Sequence, residues 1–149
     1  MILLQVFTVF CIATMVGSEF AVSAFVNPAL LTLATEPRAI LTSHFARVLG
    51  RAMPPWYILS LLLILLQLYF QRGTPAFVFL LVAALLWIAT ILITVLILVP
   101  INNRIAAIDP VNPGANWQDE HRRWDLLHRL RILVLALASG CLIYALLSN

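Results

Sequence analysis

Two histidines and a carboxylate share one face of a predicted helix in the sequence HRRWDLLHRLR, residues 121–131. His121, Asp125 and His128 have the spacing i, i+4, i+7, which places them within about 60° of one another around an α-helix. Such a set could bind a transition metal, or could transfer a proton if Asp125 orients an imidazole. The same stretch is also typical of a helix start at a membrane interface, with acidic residues first and arginines reaching toward water.

A single carboxylate, Glu19, interrupts the first apolar segment of the chain. It lies seven residues before Val26, or about 10 Å into the apolar layer at about 1.5 Å per helical residue. A carboxylate at that depth is costly and marks a candidate functional site. The alternative is a structural Glu that is protonated or paired with an arginine from a neighbouring helix. The polar residues on its side of the helix should face the bundle interior, and they are Gln5, Thr8, Cys11 and Ser23.

The elements that must position these residues are apolar segments long enough to cross a bilayer. The chain is 63% hydrophobic and 10% charged, whereas about a quarter of a soluble domain is charged. About 20 apolar residues span the hydrocarbon layer as a helix. We predict one transmembrane domain over residues 1–149, with spans at residues 2–26, 54–70, 76–99 and 124–147, the last helix beginning near Asp119.

The first segment also has a feature of a signal peptide, the small-residue sequence Ala21-Val22-Ser23-Ala24. However, no Lys or Arg precedes its apolar run, and Glu19 interrupts it, so we expect a transmembrane helix. The two cysteines, Cys11 and Cys141, fall inside predicted spans. We interpret them as small buried apolar side chains rather than a disulfide framework.

The arginines indicate how the chain is oriented in the membrane. Eight of the nine basic residues lie in two long segments, 27–53 and 100–131, and Arg72 alone lies in the turn between the second and third spans. The positive-inside rule therefore predicts that both long loops are cytoplasmic and both termini are outside. Because the arginines flank membrane spans, we expect the lipid bilayer as a partner and no nucleic acid.

This topology predicts an all-α fold, an integral membrane four-helix up-down bundle with two long loops on one face. Residues 39–50 are predicted to form a short amphipathic helix in the first loop, which either lies flat on the membrane or caps the bundle with His44 pointing inward. Pro100 is expected to stop or kink the third helix, and Asn27-Pro28 to end the first. Asn102 and Asn103 could satisfy free helix carbonyls or bind a polar ligand.

Three sequence elements resemble a known family. Asn27-Pro28 follows a helix containing Gly17-Ser18, the sequence PINNR (residues 100–104) follows the third span, and W-x-x-L-H-x-x-R (residues 124–131) opens the fourth. Together they resemble the small four-helix membrane proteins that include the fungal anthrone oxygenases. The resemblance covers nearly the whole chain and implies an integral membrane bundle. For the characterised members it implies the oxygenation of anthrone to anthraquinone.

The positions that match the family pattern are Asn103, Trp124, His128 and Arg131. In the first functional hypothesis, His128, with His44, removes a phenolic proton from a small hydrophobic substrate. Arg131 and Asn103 stabilise the oxyanion, and Trp124 stacks on the substrate. Asn27 and Asn102 complete the substrate site. The reaction then needs either no cofactor or one transition metal ion, Cu or Fe, held by ligands drawn from Glu19, His44, His121, Asp125 and His128.

A second hypothesis is a non-enzymatic membrane protein, either a carrier or an accessory subunit of an assembly, with a homo-oligomer as one form. Glu19 would then couple proton movement to transport. A carrier needs polar residues along its whole length, whereas in this chain they gather at one end of the predicted bundle. A third interpretation treats that cluster as a membrane-interface belt without chemistry.

Overall fold

The computed structural model describes residues 2–148 and contains four long helices joined by three connections. These are α1 (Ile2–Leu31), α2 (Thr35–Phe70), α3 (Ala76–Ala106) and α4 (Trp117–Leu147), each long and apolar enough to cross a membrane. Helices suit a bilayer because every backbone polar group can be bonded within its own segment. The predicted all-α four-helix fold is confirmed, with no strand within residues 2–148. The structure is compatible with a multi-pass membrane protein.

The four helices form a ring in which sequence neighbours are also spatial neighbours. α1 packs against α2, α2 against α3 and α3 against α4, and α4 closes the ring on α1. The main core lies toward the termini and contains Met15, Ile64, Trp87 and Leu135. A smaller apolar cluster of Ala46, Ile101 and Ile105 lies near the other end. That end carries connections 32–34 and 107–116, and we call it the loop end.

Two helices contain a five-residue π-helical segment, Val22–Val26 in α1 and Thr94–Leu98 in α3. Each segment is followed two residues later by a proline, Pro28 or Pro100. Proline lacks an amide hydrogen and clashes with the carbonyl four residues earlier. The wider π turn accommodates this mismatch, so α1 continues to Leu31 and α3 to Ala106. The expectation that Asn27-Pro28 ends the first helix was therefore wrong, and of the two alternatives for Pro100, a stop or a kink, the structure excludes the stop.

The first predicted loop is much shorter than expected. Residues 39–50 are helical, but they form the first part of α2 rather than a separate amphipathic element. Pro54 and Pro55 lie inside this helix, where the sequence had suggested a new start. Membrane helices tolerate internal prolines because neighbouring groups and local adjustments satisfy the freed carbonyls. The connection between α1 and α2 is reduced to residues 32–34, so only the connection at 107–116 is long.

Candidate functional site

A cavity of about 180 Å³ lies between the main core and the smaller apolar cluster at the loop end. All four helices contribute to its wall, which is mostly apolar. Val22 and Thr94 in the wall belong to the two π-helical segments, and such segments occur often at functional sites. The polar side chains of the wall are Glu19, Tyr57, Thr94, Asn102, Asn103, Trp124, His128 and Arg131.

The carboxylate of Glu19 is the centre of the polar wall. Arg131 on α4 donates from Nη2 to Glu19 Oε2 at 2.5 Å, and the hydroxyl of Tyr57 on α2 donates to Oε1 at 3.1 Å. The Glu19 side chain is 3% exposed and that of Arg131 is 10% exposed. The structural alternative for Glu19, an ion pair with an arginine from another helix, is therefore formed. The pair also borders a cavity, so the structural and functional interpretations do not exclude each other.

His128 contacts both the backbone and the side chain of Glu19. Its Nε2 lies 3.1 Å from the carbonyl oxygen of Glu19, and because a carbonyl only accepts, Nε2 carries the proton. Its Nδ1 accepts from Arg131 Nη2 at 2.8 Å and lies 3.1 Å from Glu19 Oε2. Both ring nitrogens therefore face protein groups: the imidazole bonds to the Glu19 backbone and to the guanidinium that pairs with the Glu19 carboxylate.

Trp124 forms a stack with both histidines of α4. Its ring lies 4.6 Å from that of His128, with 14° between the planes, and 6.4 Å from that of His121, with 8° between the planes. His121 is buried, but it lines a smaller cavity of about 30 Å³ rather than the main one. Trp124 lines both cavities, so its ring separates the two predicted site histidines.

The predicted amides and Asp125 take different places. Asn102 lines the main cavity and donates from Nδ2 to the Ala46 carbonyl at 2.9 Å. Asn103 lines the same cavity from an exposed position. Asn27 is buried beside the small cavity and donates to Asp125 Oδ1 at 2.5 Å, while the other Asp125 oxygen accepts from Arg129. The carboxylate of Asp125 therefore bonds to an amide and a guanidinium, and not to an imidazole as the sequence had suggested.

The predicted metal ligands do not gather around one point. His44 is exposed on α2, beside the ring of Phe45, and it lines neither cavity. Glu19 and His128 meet each other, whereas Trp124 lies between His128 and His121. Within residues 2–148, no group of three or more His, Cys, Asp or Glu side chains is arranged to hold a metal ion. These donor groups therefore do not fit a metal centre.

Sequence reasoning missed two residues of the site, Tyr57 and Thr94. Tyr57 is 5% exposed, and its backbone carbonyl accepts from the indole of Trp87 at 3.2 Å. Its ring centroid also lies 5.5 Å from the Arg131 guanidinium carbon. Thr94 accepts from Arg131 Nη1 at 3.4 Å. A hydroxyl in an apolar span is a signal, but the sequence could not show that both hydroxyls lie at the depth of Glu19.

The fold and the buried polar wall define a four-helix membrane-type protein with an internal site near one end of the bundle. The family model for anthrone oxygenase matches residues 43–141, which is 99 of the 149 residues. The chain therefore belongs to the anthrone oxygenase family, and the resemblance found in the sequence is confirmed. The matched range contains Asn103, Trp124, His128 and Arg131 but not Glu19. No curated protein and no solved structure matches the chain.

Proposed function

We propose that the protein is a membrane-bound oxygenase of a small hydrophobic phenol-like or anthrone-like compound, acting in the 180 Å³ cavity. The observation that carries the proposal is the buried Glu19 carboxylate in the wall of a mostly apolar cavity. A carboxylate buried beside such a cavity is a candidate for proton transfer. Membership of the anthrone oxygenase family supports an oxygenase-type reaction.

In the proposed reaction, Glu19 accepts the proton that the substrate loses from an activated CH₂ carbon. The electron pair left on carbon is shared with the substrate's carbonyl oxygen. This carbanion then reduces dioxygen, a C–O bond forms, and the proton returns to give a hydroperoxide. Breaking the O–O bond with loss of the second hydrogen from the same carbon releases water and leaves a new carbonyl. One dioxygen is consumed per product, as in the conversion of anthrone to anthraquinone and water.

Arg131 is the group proposed to stabilise the oxyanion. A fixed cation at an apolar site is more effective than one in water, because little solvent screens its charge. Its Nη atoms are bonded to Glu19, His128 and Thr94, but Nε is buried and has no hydrogen-bond partner within residues 2–148. A buried donor without a partner is uncommon, and we propose that this N–H binds an oxygen of the ligand. Asn103 lies on the same wall and would bind that oxygen from the loop side.

His128 and Trp124 have revised roles in this proposal. The one acceptor nitrogen of His128 is already used, whereas each oxygen of the Glu19 carboxylate has a second lone pair. We therefore assign His128 the task of positioning Glu19 rather than of accepting the substrate proton. His128 covers one face of Trp124 and the His121 ring lies parallel to the other, so we assign Trp124 to the wall of the cavity rather than to stacking on a substrate. Asn102 is assigned to closing the cavity, and Asn27 and His44 lie outside it.

The proposed location follows from the arginines. The loop end carries Arg38, Arg47, Arg51, Arg104, Arg122 and Arg123, and the positive-inside rule places such an end in the cytoplasm, with the termini outside. The bilayer and a small hydrophobic substrate are the proposed partners. We propose no nucleic-acid partner, and a homo-oligomer is a form to be measured by size in detergent.

Oxygen consumption by the purified protein in lipid nanodiscs, with anthrone as the substrate, tests the proposal. We expect one dioxygen per anthraquinone formed, and loss of turnover in Glu19→Gln. Glu120→Gln is the matched control, because Glu120 pairs with Arg104 on the exposed surface and should retain full activity. No oxygen uptake by the unmodified protein, or equal rates for Glu19→Gln, would reject the enzyme. A pH-dependent solute flux that Glu19→Gln abolishes would instead indicate a carrier.

Metal analysis of the protein purified without a chelator belongs to the same test. A stoichiometric transition metal that is lost in His121→Ala and His128→Ala would assign those histidines as ligands and would revise the proposed role of Glu19. If His121→Ala keeps both its metal content and its turnover, His121 is not a metal ligand. That result would support the assignment of the chemistry to the side of the cavity that carries Glu19.

A further inference from the structure

The contacts between α2 and α3 are interrupted beside the main cavity. α2 packs against the parts of α3 on either side of the π-helical segment, Ala76–Ile93 and Val99–Ala106, but makes hardly any contact with Thr94–Leu98 itself. A π turn bulges relative to an α turn and displaces the chain locally. The result is a gap between two neighbouring helices at the depth of the cavity.

Apolar exposed side chains form both edges of this gap. Ile58 on α2 is 55% exposed and Val95 on α3 is 57% exposed, and both also line the cavity. The outer surface continues with Leu62 and Leu96, which are 58% and 73% exposed. Large aliphatic side chains that are this exposed on membrane-length helices face hydrocarbon rather than water. The gap therefore faces the side of the bundle that lipid would cover.

Toward the loop end, a hydrogen bond joins α2 and α3 directly. Asn102 on α3 donates to the Ala46 carbonyl on α2 and ties the two helices together above the gap. Gly50 makes this approach possible, since a Cβ atom there would lie 2.8 Å from Asn102 Nδ2. Trp124 forms the wall toward the small cavity. The wall opposite the gap is closed by the buried pair of Glu19 and Arg131.

We propose that the gap between Ile58 and Val95 is a lateral entrance, through which a small aromatic molecule dissolved in the bilayer reaches the cavity. The apolar rings of this molecule would pass between α2 and α3, and its one polar oxygen would point toward Arg131 and Glu19 on the opposite wall. The entrance stands on the geometry alone, whereas the identity of the molecule as an oxidisable phenol or anthrone rests on the proposed function. A lateral entrance selects substrates by their solubility in lipid. The rate of the reaction then depends on the substrate concentration in the bilayer, not on that in water.

Photolabelling with 3-trifluoromethyl-3-(m-iodophenyl)diazirine tests the entrance without needing any catalytic activity. This small aromatic reagent partitions into bilayers, and mass spectrometry locates its adducts in protein reconstituted in phosphatidylcholine. We expect adducts on the cavity residues Tyr57 and Trp124 as well as on lipid-facing Leu62 and Leu96. Adducts on Leu62 and Leu96 without any on Tyr57 or Trp124 would overturn the proposal, and this arm needs no variant.

Blocking the entrance provides the second arm. Val95→Trp should fill the gap and reduce labelling of Tyr57 and Trp124 several-fold, while Leu85→Trp should not, since Leu85 is equally exposed on α3 (57%) but does not line the cavity. Ile58→Trp blocks the gap from its α2 edge and is the alternative variant if Val95→Trp does not fold. Undiminished cavity labelling in both blocked variants would place the entrance elsewhere. Reduced labelling in a protein that never oxidises anthrone would retain the entrance and reject the oxygenase.

Discussion

Arg131 Nη2 lies 2.5 Å from Glu19 Oε2, and this ion pair joins the fourth helix to the first inside the bundle. Removing one partner of a buried pair leaves an uncompensated charge in a medium that solvates it poorly. The pair therefore stabilises the packing of α4 against α1 and also forms the polar wall of the cavity. Stability and activity measurements are needed together to separate these two contributions.

Replacing Arg131 alone should destabilise the fold more than replacing it together with Glu19. We expect Arg131→Met to cost about 3–5 kcal/mol, because the carboxylate is left buried without its cation. The double variant Glu19→Gln/Arg131→Met should recover most of that loss while remaining inactive. Thermal unfolding in mild detergent measures both. The exposed pair of Arg104 and Glu120 is the control, and Arg104→Gln should cost about 0–1 kcal/mol; equal losses at the two sites would contradict the burial argument.

Tyr57→Phe removes a single hydroxyl from the site and keeps the ring. The lost hydrogen bond to Glu19 Oε1 should cost about 1.5–3 kcal/mol, as expected for a bond to a charged group. Because the carboxylate is less firmly held, kcat for anthrone oxidation should fall by up to about 100-fold, as misplaced catalytic groups do. Tyr144→Phe is the control, since Tyr144 lies on an exposed part of α4. A fully active Tyr57→Phe would remove Tyr57 from the site.

His128→Phe separates stacking from hydrogen bonding. Phenylalanine can still stack on Trp124, but it cannot donate to the Glu19 carbonyl or accept from Arg131. We expect a folded protein with strongly reduced kcat and a nearly unchanged KM, because substrate binding survives while the position of Glu19 does not. His121→Phe should retain activity, since His121 lies behind Trp124 in the small cavity. Normal kcat in His128→Phe would show that the histidine acts only through packing.

The sequence predicted the bundle well because apolar length and charge distribution follow directly from bilayer physics. It also singled out Glu19, whose cost in hydrocarbon is readable from its position alone. The boundaries of α1 and α3 were less predictable. The prolines at positions 28 and 100 indicated helix ends, but π-helical segments carry both helices onward, and no simple residue pattern indicates such a segment.

The partners within the site depended on three-dimensional detail. Periodicity placed His121 and His128 on one face of α4, which is correct. It could not show that Trp124 lies between their rings. Nor could the sequence show that Asp125 bonds to Asn27 and Arg129. His44 was expected to point inward only if residues 39–50 capped the bundle. Because those residues extend α2 instead, His44 remains on the surface.

Gly50→Ala tests the close approach of α2 and α3 above the lateral gap. The new methyl group would lie 2.8 Å from Asn102 Nδ2, so the end of this side chain must shift, which weakens its bond to the Ala46 carbonyl. Loss of this hydrogen bond costs about 0.5–1.5 kcal/mol and offsets the gain of alanine over glycine in a helix, which thermal unfolding in detergent should detect. Gly140→Ala is the matched control, because nothing lies within 4 Å of a Cβ there and alanine in a helix is favoured by about 0.5–1 kcal/mol. Gly50→Ala should thus unfold at a lower temperature than Gly140→Ala. Adding Asn102→Ala to Gly50→Ala should restore part of the loss, since the smaller side chain removes the clash. If Gly50→Ala is as stable as Gly140→Ala, Asn102 does not hold the two helices together, and the loop end would then offer a second way into the cavity.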